Sequence, residues 1–148
     1  MGAVTLTGLS GARVYLDANV FIYFLDGTPA LKEHATRVLS AARDGALRAI
    51  TGDAAVAEVM AGPYRTGDQM LIRSVRGFFA QPRLIEVVSH DARAFDDAAM
   101  LRGSLGLPFI DALHIATAAA EGCEAIITHD ARMKPALGVD IVLLETVG

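Results

Sequence analysis

Four acidic residues stand far apart in the chain, each at or near the place where a strand hands over to a helix. They are Asp17 in VYLDANVFIYFL, Glu58 in AAVAEVM, Asp111 in PFIDALHIATAAA and Asp130 in AIITHDARM. Apolar runs carry at least three of them toward the carboxyl ends of strands, where open α/β sheets place their chemistry. Carboxylates brought together in an apolar setting repel one another and lose hydration. A divalent cation is the usual remedy, so the first reading is a carboxylate-lined Mg²⁺ or Mn²⁺ site with oxygen donors.

Each acid has a plainer reading. Asp17 could be a turn or cap carboxylate, but Asn19 is better placed to cap the helix that follows. Asp111 could be an acid favoured by the helix dipole. That accounts for a surface position, not for one aligned at about 100° per residue with Ile115 and Ala118 on an almost wholly apolar helix. Asp130 could cap the segment ARM, with Thr128 and His129 offering further hydrogen bonds. Glu58 would not be selected on spacing alone.

Among the other polar groups, His129 reads as a metal ligand or a phosphate donor. His114 could be the same, but a lone histidine on a largely apolar helix reads first as a satisfied core residue. Asp96 and Asp97 read as a solvated helix face, and Cys123 as a packing residue. Arg65, Arg73, Arg76 and Arg83 concentrate positive charge in one stretch. They are either a solvated helix surface or a rim that meets phosphates.

The elements that must position these groups follow from hydrophobic periodicity. Strands are predicted at 13–17, 46–51, 84–88, 125–129 and 140–144. Helices are predicted from Val20 to Leu25 and over 29–43, 53–61, 68–80, 91–105 and 110–121, with Gly62-Pro63 stopping the third. Short continuous apolar strands alternating with helices imply a parallel sheet of about five strands covered on both faces. In such an α/β sheet the first and fourth strands end close together, bringing Asp17 near Asp130. Residues 1–12 read as a flexible N-terminal extension, and 13–148 as one domain.

The chain has 148 residues, 53% of them hydrophobic and 20% charged, enough for one core and unlike a disordered segment. A net charge of −4 argues against a simple electrostatic nucleic-acid binder, though not against an enzyme that meets phosphates through cations. No apolar run reaches the ~18 residues that span a bilayer. MGAVTLTGLSGAR lacks the basic start and apolar core of a signal peptide. A single cysteine excludes an internal disulfide and fits a reducing, cytoplasmic setting.

With these residues in view, the sequence resembles PIN domains, and within them the VapC-type toxins of toxin–antitoxin pairs. LDANVFIYFL resembles the family's opening strand and helix, with Asp17 as the first acid and Asn19 as its companion. TGDAAVAEVMAGP resembles the segment of the second acid and selects Glu58. DALHIATA is the most specific match and supplies Asp111. THD resembles the closing Thr-Asn-Asp motif, giving Thr128 and Asp130, with His129 where Asn is usual. The resemblance implies a Mg²⁺-dependent endoribonuclease, able to use Mn²⁺ and neutralised by a cognate antitoxin. Asp17, Glu58, Asp111 and Asp130 would be catalytic and hold the metal, while Asn19, Thr128 and His129 would orient them from behind. A homodimer with an RNA substrate and no membrane association is expected.

The helix after Asp17, from Val20 through Phe21 and Ile22 to Leu25, has no polar face. One side must meet the core. The other meets neighbouring helices or forms part of an apolar groove near Phe21–Leu25 for an antitoxin helix. The rival from another class is a catalytically silent module of the same fold that binds metal or RNA, or serves as an interaction scaffold. A receiver domain is disfavoured because Asp17 has no acidic neighbour and the only lysines are Lys32 and Lys134.

Overall fold

Five short apolar runs pair into a single sheet in the computed structural model, which describes residues 7–147. The strands are β1 (Arg13–Leu16), β2 (Arg48–Gly52), β3 (Glu86–Val88), β4 (Ala125–Thr128) and β5 (Asp140–Leu143). Their order is β3-β2-β1-β4-β5, and every pairing is parallel. The chain builds outward from β1 in one direction, then returns to its other side. The order of strands therefore reverses at β1, and the crevice at the carboxyl ends of β1 and β4 is the switch point where such sheets bind ligands.

Side chains alternate across the sheet, so each central strand feeds two cores. Val14, Leu16, Ala49 and Ile127 face a layer made by α1 (Ala18–Asp26), α2 (Pro29–Arg43), α3 (Asp53–Thr66) and α4 (Gln69–Phe79). Tyr15, Ile50 and Ile126 face the opposite layer, made by α5 (Ala92–Leu105) and α6 (Phe109–Ala120). Burial on both faces is what makes these strands read as continuous apolar runs.

Local signals set most helix ends. Pro29 opens α2, where its missing N–H is no loss. Asp68 and Asp91 cap α4 and α5 by accepting backbone N–H bonds. One boundary departs from expectation: α3 does not stop at Gly62-Pro63 but runs to Thr66, ending at Gly67 in the left-handed conformation. Pro63 is buried, and α3 packs against both α1 and α4. Burial of that face offsets the backbone hydrogen bond that proline removes.

Of the segment expected as an extension, residues 1–6 lie outside the described residues. Thr7–Leu9 form a 3₁₀ turn, Leu9 and Ala12 are buried, and the Gly11 N–H donates to the Ala46 carbonyl. No helix among the described residues is long and apolar enough to cross a membrane.

Candidate active site

Asp17 follows β1 directly and is only 8% exposed. Its Oδ1 accepts the Ala18 N–H at 2.8 Å, so Asp17 itself caps α1. This corrects the assignment of the cap to Asn19. Asn19 lies in the first turn of α1, and its side chain turns inward. Its Nδ2 donates to Asp17 Oδ2 at 3.3 Å and to Thr128 Oγ1 at 3.1 Å, while its Oδ1 accepts the His129 N–H at 3.0 Å. Thr128, the last residue of β4, donates to Asp17 Oδ2 at 2.8 Å and accepts the Asp130 N–H at 3.0 Å. Asp17, Asn19, Thr128 and the backbone of His129 and Asp130 thus form one network across the switch point.

His129 contributes its backbone, not its ring. The imidazole Nδ1 lies 2.9 Å from Glu145 Oε2, and the ring packs edge-on against Tyr23. Asp130 accepts two bonds from the exposed Arg132 guanidinium, at 3.1 and 3.3 Å, and a third from the Arg132 backbone N–H at 2.9 Å. That guanidinium holds the Asp130 carboxyl below the usual carboxylate range.

Glu58 and Asp111 approach from opposite layers, Glu58 from α3 and Asp111 from the first turn of α6. Glu58 is exposed at the rim, yet the protein behind its carboxyl, then Asp17 and Asp111, push its pKa up. Burial first, then Asp130 and Asp17, push Asp111 up, against the pull of Arg132. The four acids therefore share one electrostatic field. Asp96 is exposed and Asp97 half-buried on α5.

Behind Asp17 lies a buried polar group that was expected to be satisfied within the core. His114 is 1% exposed, with Nδ1 2.6 Å from the Tyr15 hydroxyl and Nε2 3.8 Å from Asp17 Oδ1. That Nε2 has no hydrogen-bond partner, which corrects the expectation. Its placement one turn after Asp111 in DALH was the available sequence signal. Tyr15, deep in the sheet, gave none. Cys123 is buried as expected, its thiol pushed up to about 11 by burial.

The donor set fits a hard divalent cation in chemistry: four carboxylates, two of them held at raised pKa partly by their neighbours' charge. Among the described residues no three His, Cys, Asp or Glu side chains are gathered into a coordination sphere.

An apolar groove of about 670 Å³ runs beside Glu58, walled by Ile22, Leu25, Val59, Leu71 and Val75, with Arg65 at its edge. It lies within the expected stretch near Phe21–Leu25, through Ile22 and Leu25. Phe21 is fully buried against Phe78 and Phe79, and Ile22 and Leu25 face outward. Arg65, Arg73, Arg76 and Arg83 are all exposed.

The sequence profile of the PIN domain matches residues 14–136. The chain belongs to the PIN domain family. No curated protein matches it. Among solved structures, this PIN domain is similar to VapBC2 from Rickettsia felis bound to a promoter DNA fragment (TM-score 0.70, 16% identity, 88% of this chain and 98% of that one). It is also similar to a toxin–antitoxin complex from Klebsiella pneumoniae (TM-score 0.64, 20% identity, 85% and 94%). A third is the Mycobacterium tuberculosis sarcin-ricin loop cleaving toxin VapC20 (TM-score 0.67, 13% identity, 82% and 92%). At these identities the likeness shows a shared PIN fold.

Proposed function

We propose that this PIN domain is a VapC-type toxin, a Mg²⁺- or Mn²⁺-dependent endoribonuclease neutralised by a cognate antitoxin. One observation carries the reading: at the switch point Thr128 bonds both the Asp17 carboxylate and the Asp130 backbone, while Glu58 and Asp111 approach from the two helical layers. Asp17, Glu58, Asp111 and Asp130 would hold the cation. A bound divalent cation acidifies an attacking water and stabilises charge on the leaving oxygen of a phosphodiester.

The chain's own residues do the rest. Thr128 and Asn19 fix the Asp17 carboxylate, as hydrogen-bonded partners fix ligating groups elsewhere. Arg132, exposed beside Asp130, would be available to a phosphate if Asp130 held a cation. The groove beside Glu58 suits an amphipathic antitoxin helix, whose apolar face would lie on Ile22, Leu25 and Leu71. Exposed Phe95, Met100, Leu105 and Ile110 on α5 and α6 support a homodimer.

Purified protein freed of antitoxin should cleave RNA with Mg²⁺, lose cleavage in EDTA and regain it when Mg²⁺ is restored. Undiminished cleavage in EDTA contradicts the metal mechanism. No cleavage under any condition, with Mn²⁺ still bound, favours the silent module.

A further inference from the structure

The buried side of the site holds a polar atom that the four-acid reading leaves unused. His114 Nε2 is sealed from solvent, has no partner, and faces Asp17 Oδ1 at 3.8 Å. The other ring nitrogen, Nδ1, is engaged by the Tyr15 hydroxyl at 2.6 Å. Three protonation patterns are open to the ring. If it is neutral and accepts the phenolic proton at Nδ1, its own proton sits on Nε2. If it is charged, Nε2 carries a proton as well. Only the neutral Nδ1–H tautomer leaves Nε2 bare, and it would set a lone pair against a carboxylate oxygen at a position sealed from solvent.

The surroundings hold this arrangement in place. The His90 ring packs edge-on against His114. His90 Nε2 accepts the Ala54 N–H at 3.2 Å, so its Nδ1–H donates to Thr117 Oγ1 at 2.7 Å. A Cβ at Gly52 would collide with both His90 and the Tyr15 hydroxyl. The glycine that ends β2 is what lets the two rings and the phenol meet.

We propose that His114 is a positioning residue for Asp17, its Nε2–H oriented by Tyr15 and closing on Oδ1 to fix the carboxylate where it meets a cation. The present separation exceeds a hydrogen bond by about 1 Å, a movement within side-chain reach. The proposal rests on the reading of Asp17 as a cation ligand.

Long-range ¹H–¹⁵N correlation on the wild-type protein reads the tautomer directly, with no variant required. A proton on Nε2 is expected, and its resonance should shift as Mg²⁺ is added. A bare Nε2 overturns the proposal. Mn²⁺ affinity by calorimetry is the second measurement, with melting in EDTA as the control for folding. His114→Met, which keeps bulk but no donor, should weaken Mn²⁺ binding about 10- to 100-fold, and His114→Gln, which keeps an N–H near Nε2, should lose less than about tenfold. Asp17→Asn separates the two failures. If it abolishes binding while His114→Met binds as wild type, only the positioning role falls. If it too binds as wild type, the ligand reading falls and takes this role with it. Should His114→Met not fold, the tautomer decides.

Discussion

Thr128 Oγ1 donates to Asp17 Oδ2 at 2.8 Å across 111 residues of chain. The bond ties the ends of β4 and β1 at the point where strand order reverses. The same oxygen accepts from Asn19 and from the Asp130 backbone, so one hydroxyl aligns two of the four acids and the asparagine between them.

Thr128→Val keeps the shape of that side chain and removes the hydroxyl. It leaves a buried carboxylate oxygen and two donors short of a partner, a loss of about 1–3 kcal/mol. Urea denaturation should show that loss, with Thr128→Ser recovering most of it. Equal stability of wild type and Thr128→Val would mean the bond contributes nothing.

The raised pKa values of Glu58 and Asp111 fix the sign of a pH effect. An acid raised by folding binds more protons in the native chain, so stability falls as pH rises from the unfolded value of about 4 through the folded value. Asp130, held low by Arg132, acts oppositely: its contribution is present above its unfolded value and lost as pH falls through the folded one. Asp111→Asn removes one of the two destabilising contributions. In cation-free buffer its melting temperature should gain on wild type as pH rises above about 4. A variant that loses ground over that range would assign Asp111 a structural role.

If Asp130 is a cation ligand as proposed, Arg132 competes with the cation for it. Arg132→Gln should therefore tighten Mn²⁺ binding, by less than about tenfold because an exposed ion pair contributes little. Calorimetry in low salt measures it. Weaker binding in the variant would mean that Asp130 is not a ligand.

Much of this was legible in the sequence because the sheet is buried on both faces. VYL and AII had no polar position to blur the strands, and the order of elements left few topologies. Asp17 was read as site acid or cap because one carboxylate was assumed to do one task. Its two oxygens divide the work, Oδ1 to Ala18 and Oδ2 to Thr128. Asn19 looked like the cap because it is a preferred capping type, yet two of its side-chain bonds go to residues 109 and 110 positions away and the third to Asp17. Gly62-Pro63 looked like a stop because local signals cannot register the packing of α3 on α1 and α4. The unpartnered His114 nitrogen depends on Tyr15, 99 residues away, which no local pattern encodes.

The central claim, that these carboxylates bind a divalent cation, is tested most directly by thermal melting with and without Mn²⁺. A cation that binds only the folded state at ~100 times its dissociation constant adds about 2.7 kcal/mol. For a domain of this size that is a shift on the order of 5–10 °C. The comparison needs wild type, Asp17→Asn, Asp130→Asn and the doubly neutralised Asp96→Asn/Asp97→Asn. Asparagine still caps a helix, so Asp17→Asn keeps the start of α1 intact. The account predicts the full shift in wild type and in the Asp96/Asp97 variant, and none in the other two. Equal shifts in all four proteins would contradict it.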